Sequence, residues 1–78
     1  MIAKKQIVVA GSTGEVGKQL VRLASAKPDL VVHALVRRKG FWQETSAVHE
    51  IAFDYEDPSA YDALFRAIPC DALFIALN

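Results

Sequence analysis

The chain has 78 residues, enough for one small domain, and 53% of them are apolar. A chain of this size buries only roughly 60% of the surface it exposes when unfolded, so part of its apolar surface is expected to need cover from elsewhere. Nine basic residues balance nine acidic ones, which gives no electrostatic case for binding nucleic acid or an anionic membrane surface. The single cysteine, Cys70, excludes an intrachain disulfide and suits a reducing compartment. The N-terminal apolar run is too short for a signal-peptide core, and no stretch approaches the ~18 apolar residues of a membrane span. These features predict a soluble, cytoplasmic protein with neither a nucleic acid nor a membrane as partner.

Strand and helix patterns alternate along the chain. QIVVA (6–10) is a β-branched run bounded by Gly11, as in a buried strand. A helix follows from Glu15 to about Ala26, with Val16, Leu20, Leu23 and Ala24 predicted on its apolar face. Pro28 and Asp29 stop it. LVVHALV (30–36) reads as the second strand, RRKGFWQETSA (37–47) as a polar loop, and VHEIAF (48–53) as the third strand. Asp57 is a candidate N-cap, with Pro58 at the first position of a helix that runs to about Ile68. Tyr61, Leu64, Phe65 and Ile68 share one side of that helix, Pro69 closes it, and DALFIAL (71–77) is a fourth strand. The strands are nearly all apolar, as in a parallel sheet covered on both faces. Right-handed crossovers then predict an α/β domain over residues 1–78 with strand order 3-2-1-4 and helices on both faces, the first half of a doubly wound sheet.

Gly11, Gly14 and Gly17 form G-x-x-G-x-x-G between the first strand and the first helix. One reading is a tight connection with glycines for geometry alone. The other is a dinucleotide-phosphate turn. Gly11 would allow the sharp exit from the strand, Gly14 the close approach of a pyrophosphate, and Gly17 the packing of helix on sheet. Free N–H groups at the helix start would face the phosphate, and Ser12 and Thr13 could add hydroxyl donors. Glu15 would point away. The setting after a strand, before a helix and within a βαβ unit favours the phosphate reading, and the P-loop spacing is absent. An NAD-preferring fold places an acid about 20 residues after this turn, on the ribose 2′-hydroxyl. Here Arg37 and Arg38 stand at that place. Guanidinium groups attract a 2′-phosphate, which favours NADP over NAD; the other reading is a solvated basic loop. Asp54, ending the third strand, is either an acceptor for the adenine amino group or an ordinary turn acid.

The stretches VVAGSTGEVGKQLV, ALVRR, FDYED and CDALFIALN resemble the cofactor-binding half of atypical and extended short-chain dehydrogenase/reductases. The likeness extends in particular to NAD(P)-binding reductase-like proteins related to the Tat-interacting protein. It covers nearly the whole chain and implies a truncated Rossmann fold. It also implies that Gly11, Ser12, Thr13, Gly14, Glu15, Val16 and Gly17 form the pyrophosphate turn. Arg37 and Arg38 would hold the 2′-phosphate of NADP, Asp54 and the Tyr55 backbone would meet the adenine, and Ala76, Leu77 and Asn78 would line the adenosine-side ribose. Members of that family transfer hydride with a Tyr-x-x-x-Lys pair on a later helix. Neither Tyr55 nor Tyr61 has a lysine four residues on, so the catalytic half is expected to be absent from this chain.

His33, His49 and Cys70 lack the spacing of a metal or nucleophile site and read as structural. Phe41 and Trp42, adjacent on a polar loop, read as packing or dimer contacts rather than as substrate contacts. Two alternatives accompany the oxidoreductase reading. One is a non-catalytic nucleotide-binding module. The other is a self-associating half-domain, at least dimeric, paired through an uncovered sheet edge or face.

Overall fold

Apolar runs in parallel strands need cover on both sides, and two helices supply it here. The computed structural model describes residues 4–68 and 70–75. The elements run β1 (Lys5–Ala10), α1 (Glu15–Ser25), β2 (Leu30–Val36), β3 (Val48–Ala52), α2 (Pro58–Ala67) and β4 (Ala72–Ile75). The strands form one parallel sheet in the order β3-β2-β1-β4, the order predicted from the sequence. Alternate residues of β1 look to opposite sides. Ile7 and Val9 join Val32, Ala34 and Val48 under Val21 of α1. Val8 and Ala10 join Leu35 and Phe53 under Leu64 of α2. The helices therefore lie on opposite faces, with β1 central to both cores.

Asp57 caps α2 as predicted: its Oδ1 accepts from the Ser59 N–H at 3.0 Å, and Pro58 opens the helix where a missing N–H costs nothing. Leu64 is the buried residue of α2, and Ala60 and Ile68 pack beside it. Tyr61 and Phe65 remain exposed, although Tyr61 makes an edge-on contact with Phe53.

The packing face of α1 differs from the predicted one. Val16 and Leu23 are 61% and 68% exposed. The buried line instead runs through Gly17 and Val21, flanked by Leu20 and Ala24. The reason is steric. A Cβ on Gly17 would collide with the Gly11 carbonyl oxygen and lie 2.7 Å from its carbon and 2.9 Å from Ser12 Cα. Only a glycine lets this helix turn lie against the strand exit, and turning Gly17 inward turns Val16 outward. Helical spacing alone scores both faces well, because the decisive residue carries no side chain.

The β4 strand pairs with β1 through Ile7–Ala72 to Ala10–Ile75, and among the described residues it has no partner on its other edge. Its Leu73, Phe74 and Ile75 are exposed.

Replacing Gly17 by Ala is expected to destabilise the fold by more than about 2 kcal/mol, because the overpacking meets rigid backbone and outweighs the gain in helix propensity. Urea unfolding followed by circular dichroism measures the loss, and an unchanged midpoint would refute the close approach.

Candidate functional site

At the end of β1 the chain leaves the sheet through Gly11, whose φ of 74° lies in the left-handed region that disfavours other residues. The Gly11 carbonyl accepts from the Gly14 N–H at 3.1 Å, closing the turn. Gly14 is the N-cap of α1, in extended conformation and with no side-chain cap. The first amides of α1 thus lack an intrahelical partner, and the helix dipole favours an anion beside them. The Glu15 carboxylate points into solvent, 3.4 Å from Lys18 Nζ.

One role in this turn departs from the sequence expectation. Ser12 is fully buried and its hydroxyl donates to the Leu35 carbonyl at 2.8 Å, so it offers no proton to a phosphate. The hydroxyl available from this stretch is that of exposed Thr13. The Gly11 N–H is also engaged, donating to Tyr55 Oη at 2.9 Å. Gly11 thus serves the turn through its conformation, and its amide is held within the protein.

Two open clefts meet above the C-terminal ends of the strands. One, of about 500 Å³, is lined by Gly11, Thr13, Leu35, Val36, Arg37, Arg38, Phe41 and Tyr55. The other, of about 530 Å³, is lined by Arg37, Ala52, Phe53, Asp54, Tyr55 and Glu56. Arg37 and Tyr55 belong to both. The fold therefore brings Gly11, Thr13, Arg37, Arg38, Asp54 and Tyr55 to one continuous surface. Asp54 Oδ1 accepts from the Glu56 N–H at 2.9 Å, a turn-forming bond, while the residue still lines the cleft. Val16 and Glu15 stand outside both clefts, and Gly17 is buried beneath the turn. Ala76, Leu77 and Asn78 lie outside the described residues.

The loop from Arg37 to Ala47 is fastened by a residue that motif reading passes over. Glu50 is a buried acid inside β3. Its carboxylate oxygens accept from the Gly40 N–H at 2.9 Å and the Trp42 N–H at 2.7 Å. These bonds from Trp42 and Gly40 hold its carboxyl below the ordinary value of 4.5, against the opposing effect of desolvation. Trp42 turns inward onto the core, and its indole N–H reaches Ser12 Oγ at 3.3 Å. Phe41, edge-on to Trp42, instead faces the cleft beside the two arginines. The aromatic pair therefore divides: Trp42 packs, and Phe41 walls the site. An acid within the apolar run VHEIA is the one sequence signal that could have exposed the role of Glu50.

His33 and His49 are stacked neighbours on β2 and β3 and line neither cleft. His33 Nε2 bonds Gln6 Oε1, and His49 Nδ1 lies 3.0 Å from Glu44 Oε2. Burial, then the neighbouring His49, lowers the His33 pKa. The Cys70 thiol, half-buried, donates to the Ala72 carbonyl at 3.2 Å. Among the described residues no group of three or more His, Cys, Asp or Glu is arranged to hold a metal, and no helix is long and apolar enough to cross a membrane.

The fold has a counterpart among solved structures. The chain is similar to the oxidoreductase ylbE from Lactococcus lactis. The two share 25% sequence identity and superpose with a TM-score of 0.76 over 94% of this chain. The match covers 32% of the ylbE chain, so the present chain spans about a third of that protein's length. No protein-family model matches the chain, and no curated protein does. The match with ylbE supports a Rossmann-like α/β fold. In this chain the glycine turn and both clefts lie at the strand ends, where such sheets bind ligands.

Because the folded-state Glu50 carboxyl lies below 4.5, its stabilisation of the loop is complete above that pH and is lost as the pH falls through the lower folded value. Fluorescence of Trp42, the one tryptophan, is expected to shift to the red over that acid range. Glu50→Gln is expected to show the shifted emission at neutral pH; emission matching the parent chain would separate Glu50 from the loop.

Proposed function

We propose that this chain is the NADP(H)-binding portion of a short-chain dehydrogenase/reductase-like oxidoreductase. The observation that carries the reading is the shared cleft: Arg37 and Arg38 line the same surface as Gly11 and Thr13, one step from the uncapped start of α1. The pyrophosphate would lie against the amides that begin α1, with Thr13 as hydroxyl donor. The two guanidinium groups would take the 2′-phosphate in charge-assisted bonds. Asp54 would face the adenine from the adjoining cleft. The likeness to an oxidoreductase supports the nicotinamide dinucleotide as the class of ligand. When bound, that cofactor supplies the hydride chemistry. These residues bind and orient its adenosine and pyrophosphate portion, and the Tyr-x-x-x-Lys pair of the family is not among the 78.

Calorimetric titration is expected to show NADPH binding at least about tenfold tighter than NADH, the size of one or two hydrogen bonds to a charged group. Arg37→Ala with Arg38→Ala should remove the difference while leaving the melting temperature near that of the parent chain. Equal affinity for the two cofactors in the parent chain would overturn the NADP preference, and no binding of either would overturn the dinucleotide reading.

A second reading, a self-associating half-domain without catalysis, is favoured by one observation. Three consecutive residues of β4, Leu73, Phe74 and Ile75, are exposed on a strand with one partner among the described residues. Such an edge favours pairing. Light scattering of the purified chain is expected to give at least a dimer, and a monomeric mass would count against this reading.

A further inference from the structure

Where β1 and β2 part to open the clefts, their backbone groups leave the ladder. The last β1–β2 register pair is Val9–Ala34. Beyond it, the Gly11 N–H and the Leu35 carbonyl are met from the third strand's loop by a single side chain. Tyr55 Oη accepts from Gly11 N at 2.9 Å and lies 3.5 Å from the Leu35 carbonyl oxygen, which Ser12 Oγ also bonds. The residue is gripped on its other side. Its ring meets Phe53 edge-on with centroids 5.2 Å apart, and its carbonyl oxygen lies 3.4 Å from Tyr61 Oη. It also lines both clefts and follows Asp54 directly.

We propose that the Tyr55 hydroxyl is a positioning group that sets the distance between the glycine turn and the Asp54 side of the site, so that one nucleotide can engage both. The inference rests on the dinucleotide reading of the clefts and goes beyond it: the backbone of this residue is the part a family likeness assigns, and the phenol has no assigned role. Gly11 and Tyr55 are 44 residues apart, and this bond joins the phosphate turn directly to the adenine-side loop. A ligand that spans the turn and the loop depends on that spacing. A ligand that meets the turn alone does not.

Tyr55→Phe keeps the ring and its contact with Phe53 and removes the hydroxyl. The test is a nuclear magnetic resonance titration of the full 78-residue chain and this variant, with NADPH and with inorganic pyrophosphate as separate probes. The Gly11 amide resonance reports the lost bond, and thermal melting confirms that the variant is folded. The expected result is about three- to tenfold weaker NADPH binding, the scale of one hydrogen bond, with pyrophosphate affinity changed by less than about twofold. Equal NADPH affinity in the two chains would overturn the inference while leaving the dinucleotide reading standing. An equal loss for both probes would also overturn it, because it would show a general slackening of the turn. Failure of the parent chain to bind NADPH would overturn the dinucleotide reading, and this inference with it.

Discussion

The contact between Gly17 and the Gly11 carbonyl is the constraint on which the rest of this molecule depends. It sets how closely α1 lies against the exit of β1, and thereby which residues of the helix face the core. It also sets where the uncapped amides of the helix start are presented. A side chain at that place would push the helix off the sheet, strip cover from Val9 and Val32 on one face, and displace the uncapped start of the helix from the clefts. Stability and the geometry of the candidate site are therefore coupled through one backbone-to-backbone approach.

A second layer of organisation comes from long-range hydrogen bonds that hold loops rather than strands. Glu50 reaches from β3 to fasten the loop that carries Arg37, Arg38 and Phe41, and the Trp42 indole reaches from that loop to Ser12 in the glycine turn. Tyr55 reaches the same turn from the opposite side. The turn is thus tied to both neighbouring loops, and each tie uses a buried or half-buried polar group whose alternative partner would be water. Such groups are costly to leave unsatisfied, so they fix the loops more firmly than exposed ion pairs would. Among the described residues every buried side-chain nitrogen and oxygen has a partner.

The two faces of the sheet are unequally covered. On the α1 side Gly17 and Val21 are buried, and the helix lies against β1 and β2. On the α2 side Leu64 alone is fully inside its helix, and Tyr61, Phe65, Leu73 and Ile75 leave apolar surface open, while on the α1 side Phe74, paired with Val9, is the exposed large apolar residue of the sheet. The apolar content read from composition is the same fact seen earlier: a chain of this size holds more apolar surface than its own core encloses.

Element order, strand pairing and the helix cap at Asp57 were legible because each follows from local chemistry: β-branched runs, proline at a helix start, and the handedness of crossovers. The glycine spacing and the arginine pair were legible as a motif for the same reason, since the turn and the strand end that carry them are local features. The inward face of α1, the burial of Ser12 and the division of labour between Phe41 and Trp42 were not. Each depends on which atoms from distant segments arrive at the same place. Val16 and Leu23 fit a helical apolar stripe, yet a glycine chooses the face. Tyr55 and Glu50 look like ordinary residues of a turn and a strand until the fold carries them to Gly11 and to the Gly40–Trp42 backbone. By itself the sequence determined the architecture, because periodicity and composition act locally. Only the tertiary structure decided which donors of the turn stay open and which residues hold the loops in place, because hydrogen bonds across 44 residues of chain leave no periodic trace.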